Sequence, residues 1–206
     1  MKVPALGPSE LAALLVATSF AAGLNVYATV ATLGLLARAD LVALPPALQM
    51  LGSWYIIGAS GFMFLVEFFA DKIPAFDLVW NALHTFVRIP VAALLAYGAT
   101  AQLSPGMQML AAVAGGAIAL AAHGGKMAAR AAVTPSPEPF SNFALSVGED
   151  GLAVFLTWFA TRHPYWTAGI VLVALVAIAF MVRLVVRAMR ALFRGAEREL
   201  SPGAGT

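Results

Sequence analysis

The sequence predicts an all-α integral-membrane protein, a bundle of about six transmembrane or re-entrant helices. Three observations carry that expectation. Hydrophobic residues make up 61% of the chain and charged residues 11%, whereas soluble chains run about 45–50% apolar and about 25% charged. Uncharged runs long enough to cross a bilayer, about 20 residues, recur along the sequence. Lysine and arginine gather in alternate connections, as spans that cross back and forth require. With no cysteine in the sequence, disulfide scaffolds, thiolate metal sites and cysteine nucleophiles are excluded. A net charge of +2 gives no reason to expect a nucleic-acid partner.

The first expected span is 11–37, a charge-free run too long for the apolar core of a signal peptide. The second is 47–70, its start delayed by Pro45 and Pro46. The charge-free stretch 89–122 is split by Gln102, Ser104, Pro105 and Gly106, which read as a turn between a third span, 77–101, and a fourth, 107–131. The third carries His84 and Arg88; the fifth, 141–160, carries Glu149 and Asp150. Either mixed segment can be a re-entrant half-helix instead, since irregular membrane elements turn polar residues towards a cavity. The sixth span is 165–188. Residues 1–190 are expected to form a single membrane domain, and 191–206 a basic and then flexible cytoplasmic tail.

The basic residues set the orientation. Arg183, Arg187, Arg190, Arg194 and Arg198 follow the last span at helical spacing, which places the C-terminus in the cytoplasm. Six spans then place the N-terminus there too, with Lys2, Lys72, Lys126 and Arg130 on the inner side and only Arg38 and Arg162 outside. The expected location is a bacterial cytoplasmic membrane.

Ionisable groups are costly inside a bilayer and point to function by default. Here they recur at helical spacing. Glu67 and Asp71 are four apart, with Lys72 following. Asp77, Asn81, His84 and Arg88 fall on one stripe of span three, and His123, Lys126 and Arg130 on one face of span four. Asn142, Ser146, Glu149 and Thr157 form a stripe in span five, with Asp150 beside it, and Asn25, Thr29 and Thr32 give span one a milder one near Tyr27. His123 reads as a helix-end residue rather than a metal ligand, and Glu138, between Pro137 and Pro139, as a turn residue. A shift of 65 residues lays Pro74 on Pro139, Asp77 on Asn142, Asn81 on Ser146 and His84 on Glu149, but Arg88 on Ala153. A degenerate repeat of spans two-three and four-five accounts for that partial match, and so does chance periodicity.

Two chemistries fit these groups. Adjacent carboxylates such as Glu149 and Asp150 do not both ionise easily in low dielectric, which suits proton coupling or a hard cation. The starts of spans three and five, with Asp77, Ser141 and Asn142 as candidate caps, lie near Lys72, Arg88, Lys126 and Arg130 and suit an anion. Buried ion pairs that only fix packing are the competing reading. No HExxH, GxSxG, Walker A or GxGxxG motif occurs, so an enzyme is the weaker expectation, and no metal or cofactor is expected.

The runs Gly23-Leu24-Asn25-Val26-Tyr27-Ala28-Thr29, Glu67-Phe68 with Ala70-Asp71-Lys72-Ile73-Pro74 and Asp77, and His84-Thr85 with Arg88 and Pro90 carry a resemblance. Ser136-Pro137-Glu138-Pro139 with Ser141-Asn142, Ser146 and Glu149-Asp150 extend it. Together they resemble an uncharacterised bacterial integral-membrane family catalogued as a domain of unknown function. That resemblance implies a membrane fold and no activity.

The function expected from these residues is a small transporter or channel for an ion or small polar solute. It would use a charged cavity open to the cytoplasm, proton-coupled through Glu149 and Asp150, with Glu67 and Asp71 as a second acidic site. Lys72, Arg88, Lys126 and Arg130 would balance charge, and Asn25 and Tyr27 would line the cavity. A lipid-handling protein, either a phospholipid carrier or an enzyme on a lipid phosphate, is the first alternative. A non-catalytic subunit with a structural ion-pair network is the second. The partners expected are the lipid bilayer, the solute and, for so short a chain, a second copy in a homodimer.

Overall fold

The computed structural model describes residues 7–133 and 139–200. The side chains of residues 8, 74–78, 131–133, 139, 141, 142, 188, 189 and 192–200 lie outside that description. Every regular element among the described residues is helical: α1 (Pro8–Leu24), α2 (Val26–Arg38), α3 (Trp54–Ala70), α4 (Pro74–Ala99), α5 (Pro105–Val133), α6 (Pro139–Arg162) and α7 (Pro164–Leu200), with a 3-10 segment at Pro46–Gly52. Four stretches are long and apolar enough to cross a membrane: Val79–Ala99, Pro105–Arg130, Phe143–Arg162 and Pro164–Arg187. The 3-10 segment and α3 make a fifth if taken as one span bent by 65°. The chain is thus an all-α membrane bundle.

The expected single helix over 11–37 is two helices. Asn25 takes an extended conformation, φ −149° and ψ 105°, and separates α1 from α2. Its side chain accepts a hydrogen bond from Ala28 N at 2.9 Å. Asparagine offers the backbone this alternative to helical bonding, which makes it a cap. A second break falls at Ser53, whose hydroxyl accepts from Ile56 N at 3.3 Å and starts α3. Irregularity therefore sits in the first two segments. The two mixed segments, α4 and α6, run unbroken for 26 and 24 residues; Pro90 is accommodated inside α4. Both start at the prolines, Pro74 and Pro139, that the 65-residue shift superposes. The backbone of α7 carries the expected basic tail as helix to Leu200; residues 201–206 lie outside the description.

At the centre of the bundle lies α1, packed against α4, α5, α6 and α7, while α2 packs against α3, α6 and the 3-10 segment. Ala17, Ala21 and Ala22 have no exposed surface, as expected for a helix apolar on all sides. Phe20, Leu24 and Ala28 meet Ala122, Leu156 and Val171 in one cluster; Val26, Leu33, Ala92 and Ala119 share another. In contrast, α7 faces outward along nearly all of its span.

Between α1 and α5 the backbones nearly touch. A Cβ on Gly23 would lie 2.5 Å from Ala119 O and 2.7 Å from Ala122 Cβ. Small residues permit such approach in membrane bundles. Gly23→Ala is expected to destabilise the protein by about 1–3 kcal/mol, the usual cost of overpacking. Gly58→Ala in α3, where a Cβ meets nothing within 4 Å, should be neutral or stabilising. Thermal melts of the two variants in one detergent check the contrast.

Candidate functional site

The break at Asn25 exposes two helix ends inside the bundle, and side chains from distant helices meet both. Asn25 has no exposed surface. While its Oδ1 caps α2, its Nδ2 donates to Asp150 Oδ1 of α6 at 2.8 Å. Lys126 of α5 donates from Nζ to Leu24 O, the last carbonyl of α1, at 3.4 Å. A carboxylate thus stands near the positive end of α2 and an ammonium at the negative end of α1, the arrangement that helix dipoles favour.

Around Lys126 the carboxylates converge. Its Nζ lies 3.2 Å from Asp71 Oδ2, 3.2 Å from Glu149 Oε2 and 3.6 Å from Glu67 Oε1. One turn along α5, Arg130 Nη2 donates to Asp71 Oδ2 and to Glu149 Oε2, each at 2.8 Å. Arg88 of α4 pairs with Glu67 of α3 through Nη2 and Oε1. The side chains of Glu67, Asp71, Arg88 and Lys126 have no exposed surface. The charges therefore close on one another, where the sequence suggested an open charged cavity.

A neutral relay flanks the ion pairs. Arg88 Nη1 donates to His123 Nδ1 at 2.7 Å. A guanidinium accepts nothing, so His123 carries its proton on Nε2 and donates it to Thr85 Oγ1 at 2.8 Å. Thr85 in turn donates to Asn81 O at 3.1 Å. One turn before Arg88 on α4, His84 Nδ1 donates to Trp80 O at 2.8 Å, which leaves Nε2 to accept from the Tyr27 hydroxyl at 3.0 Å.

Most of the residues singled out in the sequence meet here: Glu67, Asp71, Arg88, Lys126, Arg130, Glu149, Asp150 and Asn25, with Tyr27 and His84 at the edge. The carboxylate partner of Arg88 is Glu67. The Glu149–Asp150 pair is divided, because neighbours on a helix point about 100° apart: Glu149 faces Arg130 and Lys126, Asp150 faces Asn25. Asn81 and Ser146 are fully buried. Thr29 bonds back to Asn25 O at 2.9 Å and serves its own helix. Lys72 stands apart, donating to Phe68 O at 2.6 Å with its ammonium 3.0 Å from the Phe68 ring centre. Burial lowers its pKa from the ordinary lysine value, against the raising effect of Asp150 and Asp71. The side chains of Asp77, Ser141 and Asn142, and the whole of Glu138, lie outside the described residues. His123, placed by its spacing on the charged face with Lys126 and Arg130 but read as a helix-end residue, is a buried member of the network.

Among the described residues the interior holds four buried carboxylates, Glu67, Asp71, Glu149 and Asp150, against three buried cations, Arg88, Lys126 and Arg130. Asp150 is held by an amide rather than by a cation, and its Oδ2 is buried without a hydrogen-bond partner, as is Glu67 Oε2. Lys126 is the cation shared by three of the four acids. Lys126→Met is expected to lower the unfolding free energy by about 3–5 kcal/mol, the cost of stranding buried charge. Lys72→Met, outside the network, should change it by about 0.5 kcal/mol or less. Denaturant titration of both variants in mixed micelles reads the difference.

The model of a family described as a domain of unknown function (DUF4126) matches residues 12–184. No curated protein and no solved structure matches the chain. The chain belongs to the DUF4126 family.

Proposed function

We propose that this family member is a small transporter or channel that passes an ion or small polar solute across a bacterial cytoplasmic membrane, coupled to protons at Asp150. Both termini lie in the cytoplasm in this reading. The observation that carries it is the break at Asn25. Transporters build their sites from discontinuous helices, whose half-helix ends hold ions and charged groups away from lipid. Here one end faces Lys126 and the other faces Asp150 through Asn25, and one carboxylate oxygen of Asp150 is uncommitted.

Charge on Asp150 complements the positive end of α2. Neutralising it weakens that attraction and loosens α6 from α2. On the cytoplasmic side, Arg130 ties Asp71 at the end of α3 to Glu149 of α6, so these bonds act as the inner gate. The closed ion pairs described above are then one of two states, with the gate bonds exchanged for solute or water in the other.

Asp150→Asn keeps an oxygen to accept from Asn25 and removes the charge. In proteoliposomes loaded with a pH dye, the wild type is expected to carry proton flux that this variant loses by about a hundredfold, the scale of a lost proton-transfer group. The melting temperature should stay near that of the wild type. The near-complete burial of the network supports a second reading, a membrane subunit in which the ion pairs only set packing. Absent wild-type flux together with a large drop in melting temperature for Asp150→Asn would favour it.

A further inference from the structure

Between α3 and α6 lies a groove of about 450 Å³, within the range of small-molecule sites. Phe64 and Phe68 of α3 form one wall; Phe155 and Trp158 of α6 form the other. Asp150 lines it too and supplies its one carboxylate. That side chain is 4% exposed, with Oδ1 taken by Asn25 and Oδ2 left without a partner. Beside it, Gly151 also lines the groove, and a Cβ there would meet nothing within 4 Å. By helical rise Asp150 sits roughly 10 Å along α6 from Phe143, where the candidate span begins.

We propose that this groove binds an amphipathic organic cation, an ammonium or phosphonium on an apolar body, with its charge at Asp150 and its body between the aromatic walls. The inference rests on the reading of Asp150 as a coupling carboxylate and names the class of solute it would serve. A small hard cation needs about six or more oxygen ligands, and one carboxylate among four aromatic rings does not supply them. Aromatic faces attract poorly hydrated cations. The same wall already holds one, since the Lys72 ammonium lies 3.0 Å from the Phe68 ring centre. Charge complementarity points the same way, because the interior carries one more buried carboxylate than buried cations among the described residues. The groove also has a cause. Lys126 and Arg130 draw the inner ends of α3 and α6 together through Asp71 and Glu149. Further along, where no such tie is found among the described residues, bulky aromatic side chains stand on both helices.

The test is calorimetric titration of the purified full chain, in a neutral detergent, with tetraphenylphosphonium. Saturable binding is expected. Asp150→Asn should weaken it by about tenfold or more. Gly151→Leu, which fills the groove and leaves the carboxylate and its bond to Asn25 in place, should weaken it comparably at an unchanged melting temperature. Triphenylphosphine oxide, with similar rings and no net charge, should not compete. No saturable binding, equal binding to Asp150→Asn, or equal competition by the neutral compound overturns the proposal and leaves a groove filled by lipid chains. Proton flux, measured after the same purified protein is reconstituted into proteoliposomes, separates the two readings. Asp150-dependent flux without phosphonium binding removes the organic cation and keeps the transporter. Binding that depends on Asp150 and Gly151 without flux keeps the site and removes transport.

Discussion

A helix cut inside an apolar bundle leaves amides and carbonyls that water cannot reach, so protein groups must take them. At Asn25 that obligation selects the partners. An amide side chain starts α2, and an ammonium meets the end of α1. Once Lys126 is placed there, its charge in low dielectric requires acids around it, and Glu67, Asp71 and Glu149 converge from two helices. Those acids in turn hold Arg88 and Arg130. Much of the polar interior follows from one residue of extended backbone.

The cations are unevenly distributed. Lys126 and Arg130 make α5 a positive column one turn tall between the acidic ends of α3 and the acidic turn of α6. These two helices, which share little direct contact, are joined through α5. Such a joint is sensitive to charge in a way that an apolar seam is not. Desolvation has already been overcome in bringing the ions together, and exchanging one ion-pair partner for another costs less than exposing an unpaired charge to lipid.

The membrane class and the membership of the cluster were legible in the sequence. Polar residues repeating every third or fourth position in an apolar run can only face inward, which is why Glu67, Arg88, Lys126 and Arg130 were found together. The break at Asn25 was not legible as a break, because hydropathy counts apolar residues and is blind to backbone conformation. The run 11–37 contains no proline and no charge, yet one asparagine with a partner 125 residues away stops the helix. Glu149 and Asp150 misled for a related reason: adjacency in sequence suggested a pair, while helical geometry sends neighbours to different partners. His123 was read as a helix-end residue, and only the position of Arg88 reveals what its ring accepts.

The partners of Asn25 bear on the order in which the protein can be built. Asp150 lies 125 residues downstream and Lys126 102 residues beyond Leu24. At ribosomal rates of roughly 5–20 residues per second, on the order of ten seconds pass between their syntheses. During that interval neither short helix has its interior partner, and a buried asparagine without one is costly in lipid. The last helix, α7, is apolar and outward-facing and can enter the bilayer unaided. The polar contacts that join α1 and α2 to the rest of the bundle at Asn25 can therefore close only after α5 and α6 have been made.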